Sequence, residues 1–185
     1  MLVAFVDLLV SLGILAALLE RDHHVRVRRE RLPARGSLEA TAHPEVHHPS
    51  VAVVEVDTET GAVEMLRHVA VDDCGKILNP MLVTGQQHGG IAQGAAQALF
   101  EVVLYDEDGN PITSNLMDYA IPSAAELISF ETSNTETPSP QNPLGAKGIA
   151  ESGTIGAVPA VQNAVVDALA ARGVRHVDVL LTPQR

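Results

Sequence analysis

The stretch TGQQHGGIAQGAAQALFE, residues 84–101, reads as a single helix, yet positions 85, 89, 90 and 94 are glycine. Each glycine inside a helix costs on the order of 1 kcal/mol relative to alanine. A chain that keeps four of them must gain something from the missing side chains. Two gains are available: another backbone packed against the bare face, or a phosphate brought close to the helix N-terminus. GGIAQG lacks the G-x-G-x-x-G spacing of a dinucleotide fingerprint, and no G-K-[ST] ending makes it a P-loop. A tight helix–helix contact and the approach of a ligand both remain open.

Around this helix the pattern alternates between strand and helix signals. VAVVEVD, residues 51–57, predicts a buried strand, DTETG a turn, and AVEMLRHVAV, residues 62–71, its antiparallel partner. A second hairpin is expected around DEDGNP, and a further strand at ISFET, residues 128–132. A long loop, SNTETPSPQNPLGAKGIAESG, then leads to a helix over residues 158–171, with Pro159 near its start and Gly173 just past its end. RHVDVLL, residues 175–181, reads as a last strand. The order suggests an α+β fold, a mixed sheet with packed helices. With 3% aromatic residues and no Trp, the core must be built from Val, Ala, Leu and Ile.

A chain of 185 residues suits one well-buried domain better than two. The formal charge of −11 argues against nucleic acid, whose binders need clustered Lys and Arg. Cys74 is the only cysteine, which excludes an intrachain disulfide and a Cys-rich zinc or iron–sulfur site, and a cytoplasmic location is expected. Residues 1–19 form an apolar run that contains Asp7 and barely reaches spanning length, so a membrane anchor is the disfavoured reading, against a buried helix or a segment whose natural upstream context is missing. Residues 21–50 hold five of the eight histidines without ligand spacing and read as a solvated connector. The expected division is therefore an N-terminal apolar helix and connector over 1–50, and a domain over 51–185.

Three glycine-rich polar segments carry whatever chemistry the chain has: DDCGKILNP, GQQHGGIAQGAAQALFE and NPLGAKGIAESG. The first can open backbone amides at the mouth of a sheet, or be a plain Asx or Pro turn. The third sets one carboxylate, Glu151, among Gly145, Gly148 and Gly153, with Lys147 four residues upstream. A placed carboxylate is what a general base requires, and glycines let backbone fold closely around a ligand.

Together these segments resemble the C-terminal end of the large, molybdenum-cofactor-binding subunit of the xanthine dehydrogenase, aldehyde oxidase and carbon monoxide dehydrogenase family. VDDCGKILNPMLVTGQQHGGIAQGAAQALFE is similar to the family's Asp-x-Gly turn, Asn-Pro and Gly-Gln leading into a glycine-rich helix. LMDYAIP resembles its Asp-Tyr-x-x-Pro stretch, NPLGAKGIAESG its Gly-Ala-Lys-Gly-Val-Gly-Glu segment, and AVQNAVVDAL with LTPQR its closing helix and tail. The resemblance covers residues 51–185 and is nearest in wording to carbon monoxide dehydrogenase-like members.

The resemblance implies that Glu151 is the catalytic base of an oxidative hydroxylation and that the chain helps bind molybdopterin cytosine dinucleotide. It implies cofactor contacts at Lys76, Ile77, Leu78, Asn79, Pro80, Met81, Leu82 and Gln86, and along the run Lys147, Gly148, Ile149, Ala150. The metal would be held through the pterin and not by side chains of this chain. The implied partners are an upstream portion of the large subunit, iron–sulfur and FAD subunits carrying those groups, and a small-molecule substrate. Two departures stand out: Ala150 replaces the family's usual glycine before the glutamate, and the family's large subunits are several times longer. The alternatives are a fragment that binds cofactor or subunits without turnover, and a small membrane-anchored protein.

Overall fold

The computed structural model describes residues 48–183. The readings of residues 1–47 lie outside the described residues. The expected first hairpin is present as β1 (Ser50–Val56) and β2 (Val63–Asp73), antiparallel with a register shift at Val53/Val54. Its turn is built by Asp57, whose carboxylate accepts from the Glu59 amide at 2.8 Å and the Thr60 hydroxyl at 2.8 Å. Gly61, at φ +77°, closes it. β3 (Glu131–Thr135) lies parallel to β2 on its other edge, giving the order β1-β2-β3 in a mixed sheet. β2 is thus central, and its last six residues are buried.

α1 (Pro80–Leu99) starts four residues before the expected Thr84. The reason is Asn79, whose side chain accepts from the Met81 and Leu82 amides at 3.1 and 3.3 Å. Pro80 fits the first helical position because it has no N–H to satisfy. α2 (Ser152–Leu169) starts six residues before the expected Val158, so Pro159 sits inside the helix and not at its start. A 3-10 turn (Ala170–Arg172) extends it, and Gly173, at φ +88°, ends it. The span Ser152–Arg172 is long and apolar enough to cross a membrane by length and composition. Here its apolar face fills the core.

Three other expectations need correction. ISFET is displaced, the strand beginning three residues later at Glu131. The hairpin around DEDGNP is reduced to an isolated bridge between Tyr105 and Pro111. RHVDVLL forms no strand. Its backbone partners come from elsewhere: the Leu181 amide donates to the Ala98 carbonyl at 2.8 Å, and Gln162 Nε2 donates to the Val177 carbonyl at 2.8 Å.

Small side chains build the core as composition requires, with Ala52, Val54, Ala95, Ala98, Ala164 and Val165 among its buried members. They allow α1 and α2 to meet backbone to backbone. A Cβ on Gly90 would lie 3.0 Å from Gly153 Cα, one on Gly94 2.8 Å from the Thr154 carbonyl, and one on Gly153 2.7 Å from the Gln87 carbonyl. The threonine seals the contact, Thr154 Oγ1 donating to the Gly90 carbonyl at 3.1 Å. Gly90 and Gly94 therefore serve a helix–helix contact. Gly85 and Gly89 do not, since a Cβ on either would meet nothing within 4 Å.

This division predicts opposite effects of one methyl group. Gly153→Ala should lower stability by about 1–3 kcal/mol, because its three nearest neighbours, in Gln87, Gly90 and Ile91, are all backbone and must move. Gly85→Ala should raise it by up to about 1 kcal/mol through helix propensity alone. Urea unfolding followed by circular dichroism checks both signs, and destabilisation by Gly85→Ala would show that its bare face is packed after all.

Candidate functional site

β2 ends in two consecutive buried carboxylates, Asp72 and Asp73. Neighbours on a strand point to opposite faces, and these two hold different parts of the molecule. Asp73 Oδ1 accepts from the Gly75 amide at 2.8 Å, the Thr137 amide at 3.1 Å and Lys147 Nζ at 3.3 Å. The main chain repeats the join: the Lys147 amide donates to the Cys74 carbonyl at 2.7 Å and the Lys76 amide to the Gly145 carbonyl at 2.8 Å. Gly75 is obligatory here, since its φ is +67° and a Cβ would collide with the Gly145 carbonyl. The first and third glycine-rich segments are thereby fastened together. Burial alone would raise the Asp73 pKa, but hydrogen bonds from Thr137 and Gly75 and the Lys147 charge outweigh it and hold the carboxyl at about 2.

Asp72 reaches the helix. Its Oδ2 accepts from Gln87 Nε2 at 2.6 Å and its Oδ1 lies 2.8 Å from His48 Nδ1. Gln87 also donates to Asn134 Oδ1 at 3.0 Å and the Ser133 carbonyl at 3.1 Å, so one amide ties α1 to both β2 and β3. Beside this network His68 is fully buried, with Nε2 2.7 Å from Ser50 Oγ and its ring edge-on to Phe130. Burial pushes its pKa down to about 4 against the pull of Asp72, which keeps the ring neutral.

The residues singled out from sequence fall on and around this junction. Lys76 is exposed and pairs with Glu136 at 3.2 Å, and the Ile77 amide donates to the same carboxylate at 3.2 Å. Leu78, Met81 and Leu82 stand 61–75% exposed. Asn79 caps α1, Pro80 is its first residue, and Gln86 faces outward while Gln87 is buried. Gly148 has open space around it, and Ile149 is half-buried with its carbonyl accepting from Ser152 Oγ at 3.0 Å. Ala150 is exposed, and among the described residues only glycines have a positive φ, so alanine is accommodated without strain. Glu151 is exposed at the N-terminal end of α2 and makes no capping bond. Lys147 stands apart, its ammonium turned inward and only 5% exposed.

Gly153 touches the Gln87 carbonyl and Gly145 is bonded to Lys76, so the loop that carries Glu151 is tied to α1 at one end and to the segment before α1 at the other. Phosphate binding by the first α1 amides is not available: Pro80 has none, Asn79 takes those of Met81 and Leu82, and the Val83 amide donates to the Asn79 carbonyl. What the surface offers is room. Gly85, Gly89 and Gly148 have bare faces that nothing in the described residues fills, and Leu78, Met81, Leu82 and Glu151 are exposed. That combination fits one wall of a site for a large, partly polar group. Sequence reading missed Asp72, Asp73 and Gln87. The signal for Gln87 was its helical phase with Val83, Gly90, Ile91 and Gly94, all buried.

Comparison with known proteins decides the family. The model of the molybdopterin cofactor-binding domain matches residues 20–128. The chain belongs to that family. It is 45% identical over 135 residues to the carbon monoxide dehydrogenase large chain of Hydrogenophaga pseudoflava, covering 73% of this chain and 17% of that one. Among solved structures, carbon monoxide dehydrogenase from Oligotropha carboxidovorans superimposes with a TM-score of 0.72 at 38% identity, over 75% of this chain and 17% of that chain. Quinoline 2-oxidoreductase from Pseudomonas putida 86 gives 0.70 at 46% identity, over 72% and 17%. This molybdopterin-domain chain thus spans about a sixth of the length of the relatives it matches.

The two most strongly shifted groups, His68 and Asp73, predict a two-stage acid response. His68 is depressed from 6.5 to about 4, so the unfolded chain gains a proton that the folded one refuses, and stability falls as pH drops from 6.5 to about 4. Asp73 is depressed from 3.8 to about 2, so its contribution is present above 3.8 and lost as pH falls towards 2. His68→Gln should flatten the upper stage, on the order of 3 kcal/mol, and Asp73→Asn the lower, on the order of 2 kcal/mol. Urea titrations at stepped pH would expose an error if either variant left its own window unchanged.

Proposed function

We propose that this chain forms one wall of a molybdenum hydroxylase active site and supplies its general base, Glu151. The observation that supports the reading is the pinning of the loop that carries Glu151, fastened at residues 145–147 to residues 74–76 and at Gly153 to the Gln87 carbonyl of α1. In this reading residues 76–82, the Gln86 amide and the main chain of 147–150 contact molybdopterin cytosine dinucleotide. When bound, that cofactor supplies a two-electron oxidation and delivers the oxygen added to the substrate. Glu151 takes up the proton released as the new carbon–oxygen bond forms, and its carboxylate, exposed and free of capping bonds, is open to a ligand. The exposed Leu78, Met81 and Leu82 pack against the group or the protein around it, excluding water.

The names of the relatives, a large chain and a large subunit, support partners: the remaining portion of a large subunit, and subunits with iron–sulfur clusters and FAD that carry the electrons away. Because the chain spans 17% of its relative's length, a second reading is a cofactor- or subunit-binding portion without turnover. One experiment separates them. In an assembly that restores the upstream portion from a related large subunit, Glu151→Gln should retain molybdenum and pterin content while turnover falls about 10²- to 10⁴-fold. Near-normal turnover per molybdenum would remove Glu151 from the role of base.

A further inference from the structure

We infer that Lys147 is a positioning residue that acts through Asp73: the buried ion pair locks residues 145–151 onto the end of β2 and so fixes where Glu151 stands. The inference rests on the reading of Glu151 as the base. Both partners are withdrawn from solvent, at 5% and 3% exposure, so the ammonium has no open path to an external anion. The carboxylate is a hub and not one half of a simple pair. Its Oδ1 also accepts from Gly75 and Thr137, and it therefore joins the end of β2, the turn after β3 and the base-bearing loop at a single atom. The lysine backbone is engaged as well, its amide donating to the Cys74 carbonyl at 2.7 Å. Its stem packs where a Cβ on Gly75 would lie 3.1 Å from Lys147 Cγ.

Three residues separate this anchor from Glu151, and the next fixed point is Gly153, pressed on the Gln87 carbonyl. The segment carrying the base is thus pinned on both sides, leaving Gly148, with nothing around it, as its one unconstrained glycine. A buried charge left without its partner is destabilising, whereas removing both charges is often tolerated. That difference separates positioning from mere stability.

The test is hydrogen exchange by mass spectrometry on the full chain, comparing peptides that span residues 144–152 with the hairpin 51–71 as internal reference. Lys147→Met should speed exchange in the loop by about tenfold or more, with the hairpin within about threefold. Lys147→Arg, which keeps the cation, should restore slow exchange. If Lys147→Met does not fold, the Asp73→Asn/Lys147→Met double variant removes both charges and should show a protected hairpin with a fast loop. Unchanged loop protection in either Met-bearing variant, or equal acceleration of loop and hairpin, overturns the inference. In the restored assembly Lys147→Met should keep molybdenum content and lower turnover per molybdenum with KM little changed. Loss of molybdenum with a still-protected loop would instead make Lys147 a direct cofactor contact. Failure of the Glu151 reading shows separately, as turnover retained by Glu151→Gln while the exchange result stands.

Discussion

Two adjacent carboxylates at the end of the central strand organise everything the site needs. Asp72 and Asp73 leave β2 on opposite faces, and each is satisfied by a different distant segment: Gln87 of α1 on one side, the Lys147 loop on the other. A buried charge is tolerated only when it is paired and hydrogen-bonded, so each aspartate imposes a position on whatever satisfies it. The strand thereby sets the separation between the helix and the loop. The loop has no regular structure of its own to hold it, and α1 meets β3 through the same glutamine and through His88, whose Nε2 lies 3.3 Å from Thr132 Oγ1.

The second constraint is steric and acts on the two helices. Backbone contact at Gly90, Gly94 and Gly153 makes α1 and α2 run side by side in the same sense, with the first two turns of α1 reaching past the start of α2. Gly85 lies in the overhang and Gly89 one turn on, both on open surface, and Gln86 is exposed. The other side of the same stretch is packed, since Val83 and Gln87 are buried. The start of α2 packs on that other side, where Gly153 meets the Gln87 carbonyl, and Glu151 stands exposed just before it.

Much of this was legible in the sequence. The hairpin followed from alternation and a turn-forming DTETG, and it lies within two residues of its expected ends. The glycine excess correctly announced a close approach, although only the structure divides Gly90 and Gly94, which touch a helix, from Gly85 and Gly89, which do not. Both helices start earlier than the pattern predicts, because Asn79 reads equally well as a turn residue and Pro159 as a start signal. Pro159 is tolerated inside α2, where packing against α1 and β1 outweighs the lost hydrogen bond. RHVDVLL has the alternation of a strand, but its inward Val177 and Leu181 dock on the helices, and periodicity cannot tell a sheet from a groove. The polar pairs were invisible for a simpler reason. Asp73 and Lys147 are 74 residues apart, and nothing local marks them as partners.

The place of α2 in the fold has a consequence for synthesis. This late helix covers the first strand: Ala160, Val161, Ala164 and Val165 of α2 share one core with Ala52 and Val54 of β1. A growing chain therefore exposes the apolar face of its hairpin until α2 has left the ribosome, because loop closure over that distance must precede the contacts that reward it. The base and its anchoring loop come into register in the same late step. The site thus assembles all at once when α2 docks, and a nascent chain stopped short of that helix would present a sticky sheet and no placed carboxylate.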